Sequence, residues 1–222
     1  MKKQLNVLLL LLLCVLCSCS LDTDDNSPEK MYVAFATVEN PNATPKFYLL
    51  LDDNTKLYTA ETGELANPDQ GYPQNGRRVF VSYEALEPAT ANNIKLRNLV
   101  YVPVNGIATG NTTGRNDRYR LEMLYPGGTD FLNVLISHSF PTSSGNKHDI
   151  LLIKKEYQED AAYFDLIYSN NENPGYDVIM SPICFDLSPL KENYPDSIKL
   201  VINTYAEGVE SPKTYTMKYK WQ

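Results

Sequence analysis

The sequence lacks most of the residue patterns by which enzymes are identified. Its 222 residues include two histidines and one tryptophan, and they contain no G-x-S-x-G motif, no glycine-rich phosphate loop and no dinucleotide-binding fingerprint. Many serine hydrolases carry the first of these patterns, and many nucleotide-binding enzymes carry one of the others. Their absence argues against both classes.

Positive charge is also scarce. Lys2 and Lys3 are the only charged residues among the first 19, and the rest of the chain carries 18 basic and 27 acidic residues, a net charge of −9. Affinity for nucleic acid depends largely on contacts from lysine and arginine to phosphates. Anionic lipid headgroups attract basic segments and repel acidic ones. We therefore expect no nucleic-acid partner, and we expect membrane contact to depend on a separate anchor.

No apolar run is long enough to span a bilayer as a helix. The leucine-rich stretch from Leu5 to Leu16 has 12 residues, whereas a spanning helix needs about 20. It follows a cationic start and precedes small residues, which is typical of a secretory signal. The segment Leu16-Cys17-Ser18-Cys19 resembles a bacterial lipobox. We therefore predict a lipoprotein signal peptide at residues 1–18.

Cys19 is the better candidate for the lipidated cysteine, because a lipobox has a small residue before its cysteine and bulky Leu16 precedes Cys17. One acyl chain anchors a protein only marginally. Bacterial lipoproteins carry a diacylglyceryl group and a further acyl chain such as palmitate, which is enough for stable anchoring. The membrane is therefore a predicted partner, reached through the lipid on Cys19.

Residues 19–29 combine this cysteine with a polar, acidic stretch that ends at Pro28-Glu29, and we interpret them as a tether. The stretch from Asp22 begins like a calcium loop. An EF-hand would need glycine at the sixth position and glutamate at the twelfth, and these positions hold Ser27 and Val33. A solvated tether is the better interpretation.

Cysteine chemistry is limited to one residue of the mature protein. Cys14 and Cys17 leave with the signal and Cys19 takes the lipid, so Cys184 has no partner in its own chain for a disulfide. A nucleophilic cysteine needs a neighbouring base. Cys184 alternates with the apolar residues around it on a predicted strand, which favours a structural thiol.

The rest of the chain favours β structure. It is rich in tyrosine, with 16 in the sequence, and its apolar residues recur with a period of two. On the fifth candidate strand, Leu96, Val100, Val102 and Val104 are predicted to share one face. Asp52-Asp53-Asn54 predicts a hairpin turn. Five candidate strands precede residue 105: 31–39, 46–51, 55–59, 77–83 and 96–104.

A domain boundary is predicted at residues 105–117, which contain three glycines. In the last strand after it, Tyr215, Met217, Tyr219 and Trp221 share a predicted core face, next to Ile198, Leu200 and Ile202. Five strands followed by seven favour a small barrel and then a sandwich, although periodicity alone does not distinguish these for either block. Seven candidate strands follow the boundary: 118–125, 130–140, 148–155, 162–168, 176–187, 197–205 and 213–221.

Several segments together resemble the NigD-like lipoproteins across essentially the whole mature chain. The resemblance implies an all-β protein with an OB-like barrel at residues 30–110 and an antiparallel β-sandwich at 115–222. The resemblance implies no catalytic residues. The segments are Phe47-Tyr48-Leu49-Leu50-Leu51-Asp52-Asp53, 76–83, 183–190, 196–202 and 214–220.

The resemblance also implies a location. These lipoproteins occur in one phylum of Gram-negative anaerobes, where acidic residues soon after the lipidated cysteine resemble a signal for export to the cell surface. Asp22, Asp24 and Asp25 fit that signal, with Leu21 interrupting the run. We expect an outer-membrane protein that is lipid-anchored and exposed at the cell surface.

The two histidines are the candidate metal ligands. If residues 130–140 and 148–155 pair as a hairpin, His138 and His148 come close together. Zinc needs three or four converging ligands, and no third ligand is visible on that face. Ser137 and Ser139 point to the opposite face from His138. We predict no metal, no cofactor and no catalytic residue.

The barrel offers the candidate ligand contacts. OB folds bind oligosaccharides as well as oligonucleotides, and exposed tyrosines suit such ligands. Four basic residues and two tyrosines on neighbouring strands are the candidates, and the alternative is a solvated edge held by salt bridges. They are Arg77, Arg78, Lys95, Arg97, Tyr83 and Tyr101.

Together these observations predict a non-enzymatic, lipid-anchored protein of the cell envelope that serves as a binding or accessory module for a glycan, a peptide or an envelope protein. Two alternatives stay open. One is a surface hydrolase of glycan or peptide, which would need a cleft with two facing carboxylates. The other is a bacteriocin-immunity or export accessory role, which the family name implies because it comes from a bacteriocin gene cluster.

Overall fold

Alternating apolar residues produce a structure made of strands, as predicted. The computed structural model describes residues 30–62, 71–86, 92–110, 117–128, 130–140, 148–155, 161–170, 177–205 and 211–221. The predicted signal peptide, lipidated Cys19 and tether lie outside the described residues. In the part that is described, the all-β fold class is confirmed, and none of its helices is long and apolar enough to cross a bilayer.

The first five strands close into a barrel. Their order around it is β1-β2-β3-β5-β4, and β4 pairs back onto β1. All of these pairs are antiparallel except β3 with β5. The turn at Asp52–Asn54 joins β2 to β3, as predicted, with Asn54 at a φ of 68°. The strands are β1 Met31–Glu39, β2 Tyr48–Leu51, β3 Lys56–Glu61, β4 Arg78–Ala85 and β5 Asn93–Tyr101.

A bulge in β5 changes the predicted side-chain pattern of this strand. The register with β4 shifts by one residue, so that Arg97 is the extra residue between the pairs of Leu96 and Asn98. A bulge of this kind reverses the alternation beyond it. Leu96 is buried in the barrel core and Val100, beyond the bulge, is exposed. Val102 is buried in a different cluster, against Leu135 of the sandwich, and Val104 is exposed. The prediction that these four residues share one face is therefore wrong.

The remaining strands form two facing sheets. One has the order β14-β13-β11-β10-β7 and the other β6-β12-β9-β8. Most neighbours are antiparallel, but β11 runs parallel to β13 because β12, in the other sheet, separates them along the chain. The strands are β6 Val104–Asn105, β7 Ala108–Thr109, β8 Arg120–Gly127, β9 Phe131–Phe140, β10 Asp149–Lys154, β11 Ala162–Ser169, β12 Asp177–Asp186, β13 Ser197–Thr204 and β14 Lys213–Lys220.

The two short strands β6 and β7 belong to the sandwich sheets. β6 runs parallel to β12 at Cys184 and Phe185, and β7 runs parallel to β10 at Ile153 and Lys154. Both lie within the 30–110 range that was predicted for the barrel. The chain thus leaves the barrel after β5 and contributes one short strand to each sheet of the sandwich.

The sandwich core lies between its two sheets. Ile198, Leu200 and Ile202 on β13 are buried in it, and so is Tyr219 on the adjacent β14, as predicted, whereas Tyr215 of the same predicted face lies outside this core cluster. Met217 and Trp221 pack against the same core while half-buried. One turn of 3-10 helix at Ser188–Leu190 follows β12.

Residues 130–140 and 148–155, which would bring the two histidines together if they paired as a hairpin, do not pair with each other. β9 pairs with β8 and β12, while β10 pairs with β11 and β7 in the other sheet. His138 does lie on the same core-facing side as Leu132, Val134 and Ile136, as the alternation predicts, and is itself buried.

Candidate functional site

Arg78 holds the barrel against the sandwich and is not exposed to a ligand. It lies on β4, and its side chain is 2 % exposed. Its guanidinium donates to both carboxylate oxygens of Asp52, at 2.8 and 3.2 Å, and to Oδ1 of Asn133 at 2.8 Å. Since Asn133 belongs to β9, this arginine joins the two domains. The prediction that Arg78 contacts a ligand is not supported by this position.

Asp52, the ion-pair partner of Arg78, also contacts the sandwich directly. Asn133 Nδ2 donates to Asp52 Oδ2 at 2.5 Å. The backbone at the end of β8 lies directly against the Asp52 side chain: a Cβ added at Gly127 would lie 2.7 Å from the Asp52 Cβ. Glycine is needed at this close approach. The β2–β3 turn is therefore a docking point for the sandwich.

Cys184 is buried in the same contact between the domains. Its thiol donates to Asn133 Oδ1 at 3.0 Å, and burial raises the pKa of the thiol. Phe35, Val102 and Leu135 surround it. A raised pKa disfavours the thiolate, so these surroundings fit the structural role that the sequence favoured.

The other basic candidates do not converge on one site. Arg97, at the β5 bulge, donates to both carboxylate oxygens of Glu84 at 2.5 and 2.7 Å. Lys95 lies 4.0 Å from Glu61. Tyr83 stacks on Tyr32, with 5.5 Å between the ring centroids. These residues match the alternative of a barrel edge held by salt bridges.

Arg77 and Tyr101 lie together at the opposite end of the β4–β5 pair. The Arg77 guanidinium carbon lies 5.3 Å from the centre of the Tyr101 ring, and the Tyr101 hydroxyl accepts from the backbone N–H of Gln74 at 3.1 Å. Along β4, Arg77 and Tyr83 are six residues apart, or roughly 20 Å. The predicted ligand contacts therefore form two separate groups.

Tyr101 lines a cleft at the side of the sandwich, with a volume of about 470 Å³. Its walls come from three places: the end of β5 and the chain that follows, the start of β10, and the middle of β12. Asp149 is the only carboxylate among the described lining residues. We call this site the edge cleft, and it is lined by Val100, Tyr101, Pro103, Asn105, His148, Asp149, Ile150, Leu151, Met180, Ser181, Pro182 and Ile183.

The edge cleft exists because β6 and β7 are short. β6 covers the edge of β12 only at Cys184 and Phe185, and β7 covers the edge of β10 only at Ile153 and Lys154. The earlier part of each strand continues without a described neighbour on that side. Among the described residues, each sheet therefore has a strand edge at this cleft that no neighbouring strand covers.

Large apolar side chains are exposed beside these edges. Val178 is 72 % exposed and Met180 is 62 % exposed, and both lie on β12, on the outer face of the four-stranded sheet. Val100 and Tyr101 on the barrel side are also exposed. Exposed apolar groups that cluster around a cleft are typical of binding surfaces.

His138 lies in another, smaller depression beside Met180, with a volume of about 340 Å³. Its Nε2 lies 2.8 Å from Ser181 Oγ, and its ring centre lies 5.0 Å from that of His148. Burial lowers the pKa of His138, and the nearby His148 contributes in the same direction. Within the described ranges, no three His, Cys, Asp or Glu residues are grouped to hold a metal.

Sequence reasoning missed the cleft residues on β12, although one signal was available. Pro182 lies within the strand pattern of residues 177–186, and proline within a strand pattern indicates an edge strand. The exposed Val178 and Met180 alternate with it on that edge. The sequence pattern predicts this segment only as a strand, at residues 176–187.

Comparison with known families agrees with the two-part fold. Residues 35–101 match the NigD-like N-terminal OB domain, and residues 111–219 match the NigD-like C-terminal beta sandwich domain. No curated protein sequence matches this chain significantly.

Three crystal structures share the fold over most of their length. A protein of unknown function from Bacteroides vulgatus ATCC 8482 is 25% identical with a TM-score of 0.64, covering 87% of this chain and 92% of that one. A NigD-like immunity protein from Bacteroides caccae ATCC 43185 is 12% identical with a TM-score of 0.65, covering 85% and 96%. A protein from Bacteroides fragilis NCTC 9343, described as a candidate lipoprotein, is 10% identical with a TM-score of 0.55, covering 87% and 98%.

Proposed function

This chain belongs to the NigD-like family, and we propose that it is a non-enzymatic, lipid-anchored protein of the cell envelope that binds a polypeptide partner in the edge cleft. The observation that carries this proposal is the cleft itself. It combines strand edges that no described strand covers with exposed apolar side chains from both domains. Polypeptides are the ligands that satisfy both of these features at once.

A binding role suits the cleft better than hydrolysis. Glycoside hydrolysis requires two carboxyl groups on either side of the scissile bond, and the described lining of the cleft supplies Asp149 alone. Cys184 is buried away from the cleft, with the pKa of its thiol raised. These surroundings support a non-enzymatic function.

The proposed anchor is the lipid on Cys19, which places the protein at the outer membrane and exposes it at the cell surface. The lipobox and the acidic residues after it support this location. Cys19→Ala should abolish labelling with a radioactive fatty acid and release the protein from membranes. Protease treatment of whole cells tests exposure, and a body that stays fully protected would contradict it.

The binding site is tested by photo-crosslinking in living cells. A photoreactive amino acid replaces Met180 in the full chain, and a second variant carries it at Tyr101. A third variant carries it at Thr216, which is exposed on β14, as the control. We expect Met180 and Tyr101 to form an adduct with the same polypeptide and Thr216 to form none. Equal adducts at all three positions would contradict the cleft as the site.

Immunity is a second candidate function, favoured by the name of the structure from Bacteroides caccae. It is compatible with the same cleft if the polypeptide partner is a toxin or its receptor. The test is to delete the gene and challenge the cells with bacteriocins from neighbouring strains. Increased sensitivity that the intact gene restores, but a cleft variant such as Met180→Arg does not, would support this function.

A further inference from the structure

The backbone of β12 has a defined direction of hydrogen bonding along its uncovered edge. The Cys184 N–H donates to the Pro103 carbonyl at 3.0 Å, on the side where β6 lies. The register between β12 and β9 is continuous from Asp177 to Asp186. Because peptide groups alternate in direction along a strand, the residues that share the direction of Cys184 are Pro182, Met180 and Val178.

These three residues direct their peptide groups to the side that no described strand occupies. Val178 and Met180 each present an N–H and a carbonyl oxygen there, and Pro182 presents only its carbonyl. Ile179 and Ser181 point the other way and lie opposite His138 and Ile136 of β9. An uncovered row of donors and acceptors is a template for a further strand.

The same edge already binds one extended segment of this chain. β6 lies along it at Cys184 and Phe185, in the parallel direction. A segment that continues the line of β6 would reach Pro182, Met180 and Val178 in turn. The part of the edge that no described strand covers is thus continuous with an existing strand pairing.

The size of the edge cleft limits what fits there. One residue of a strand occupies roughly 160 Å³ of a packed sheet, from a rise of about 3.3 Å, a strand spacing of about 4.8 Å and a layer thickness of about 10 Å. The volume of about 470 Å³ therefore holds about three residues of one strand. The start of β10 and the end of β5 bound this space, which leaves no room for a second sheet.

The charge of the cleft limits the composition of the segment. Asp149 is the only charged side chain among its described lining residues, beside the titratable His148. The mature chain also has a net charge of −9. An acidic segment would be repelled, whereas neutral, apolar or basic residues are compatible with this lining.

We propose that an extended, non-acidic segment of a partner polypeptide adds as a strand to the edge of β12 along Val178–Pro182, in line with β6. This inference rests on the proposed function and specifies how the partner is held. Main-chain hydrogen bonds to Val178 and Met180 provide affinity, and side chains that contact Met180 and Tyr101 provide selectivity, as in other strand-addition complexes.

The test begins with a library of random dodecapeptides displayed on phage and selected on the full-length protein in detergent. We expect enriched peptides with apolar residues at alternate positions and few acidic residues. The best peptide is synthesised with a fluorescent label, and its Kd is measured by anisotropy. Failure to enrich any peptide, or peptides whose binding Met180→Arg leaves unchanged, would overturn the cleft as a polypeptide site and with it the proposed function.

Two variants then separate strand addition from ordinary side-chain contact. Met180→Pro and Met180→Ala both shorten the side chain, but only proline removes the N–H and places its ring on the open edge. Pro182 shows that this edge accepts proline. We expect Met180→Pro to weaken binding at least tenfold relative to Met180→Ala. Equal affinities would overturn strand addition while leaving the cleft as the binding site.

A modified peptide repeats this test on the unchanged protein, in case the proline variant does not fold. Methylation of alternate peptide nitrogens keeps every side chain and removes the donors on one edge. The account predicts that one of the two alternating patterns abolishes binding, and retention of full affinity by both would overturn it. Sedimentation velocity of the protein alone gives a further check, since a dimer that Met180→Pro dissociates would assign the edge to a second copy of the chain.

Discussion

Replacing Arg78 with methionine should destabilise the protein strongly, because the variant leaves the buried Asp52 carboxylate and its neighbouring polar groups without the guanidinium that donates to them. Arg78 and Asp52 have side chains that are 2 % and 9 % exposed. The guanidinium donates to both carboxylate oxygens of Asp52, to Asn133 and to Thr37 at 2.8–3.2 Å. Removal of one partner from a buried ion pair costs about 3–5 kcal/mol. That is a large fraction of the roughly 5–15 kcal/mol that stabilises a typical domain.

Urea-induced unfolding measures this loss, and Trp221 provides the signal. It is the only tryptophan, and it packs on the sandwich core, so its fluorescence reports whether the sandwich depends on the contact with the barrel. Lys56→Met is the matched control, since Lys56 and its partner Glu39 are 49 % and 34 % exposed. Exposed pairs contribute up to about 1 kcal/mol. An Arg78→Met variant that loses no more than Lys56→Met would refute the reasoning.

Three further predictions follow from buried contacts. Gly127→Ala should lower the melting temperature, because the added Cβ would lie 2.7 Å from the Asp52 side chain. Gly106→Ala is the control and should leave the melting temperature unchanged, since a Cβ there has nothing within 4 Å. Equal melting temperatures of the two variants would contradict this prediction. Tyr219→Phe should cost about 1–3 kcal/mol in urea unfolding, because the hydroxyl bonds two backbone groups of the β8–β9 turn, and no loss would show that water replaces it. Burial lowers the pKa of His138 below 6.5 in the folded protein, so the unfolded chain binds a proton more readily, and the free energy of unfolding should fall as the pH drops below about 6.5. His138→Gln should reduce this pH dependence of stability between pH 7.5 and 5.5. An unchanged pH dependence in the variant would contradict the prediction.

The strands were largely predictable from sequence because alternating apolar and polar residues indicate which side chains of a strand are buried. Alternation placed β1 at Met31–Glu39 and β9 within one residue of Phe131–Phe140. The turn at Asp52–Asn54 was also predictable, since a run of turn-forming residues separates two apolar runs. Local pattern sufficed for these strands and for this turn.

Features that depend on distant partners were not predictable in this way. Arg97, at the β5 bulge, pairs with Glu84, and the buried Arg78 pairs with Asp52 and Asn133, which are 26 and 55 residues away. A pattern of charged residues on a strand does not distinguish a ligand contact from an internal pair. The contacts in the folded structure show that Arg78 and Arg97 form internal pairs.

The edge cleft was hidden from sequence analysis for the same reason. β6 and β7 have two residues each, which is too short to show any periodicity. Their length nevertheless determines how much of β12 and β10 stays uncovered. Of the predicted contact residues, only Tyr101 lines the cleft, with Arg77 stacked against it.

Hydrogen exchange at single amides tests the central claim most directly. The full-length protein is measured with and without the selected peptide, and the exchange rates of the Val178 and Met180 amides are compared with that of Ser181, which points toward β9. Strand addition predicts strong slowing at Val178 and Met180 and little change at Ser181. Unchanged rates at Val178 and Met180, with slowing on the barrel strands around Tyr48 and Tyr58 instead, would contradict the account and place the binding site on the barrel.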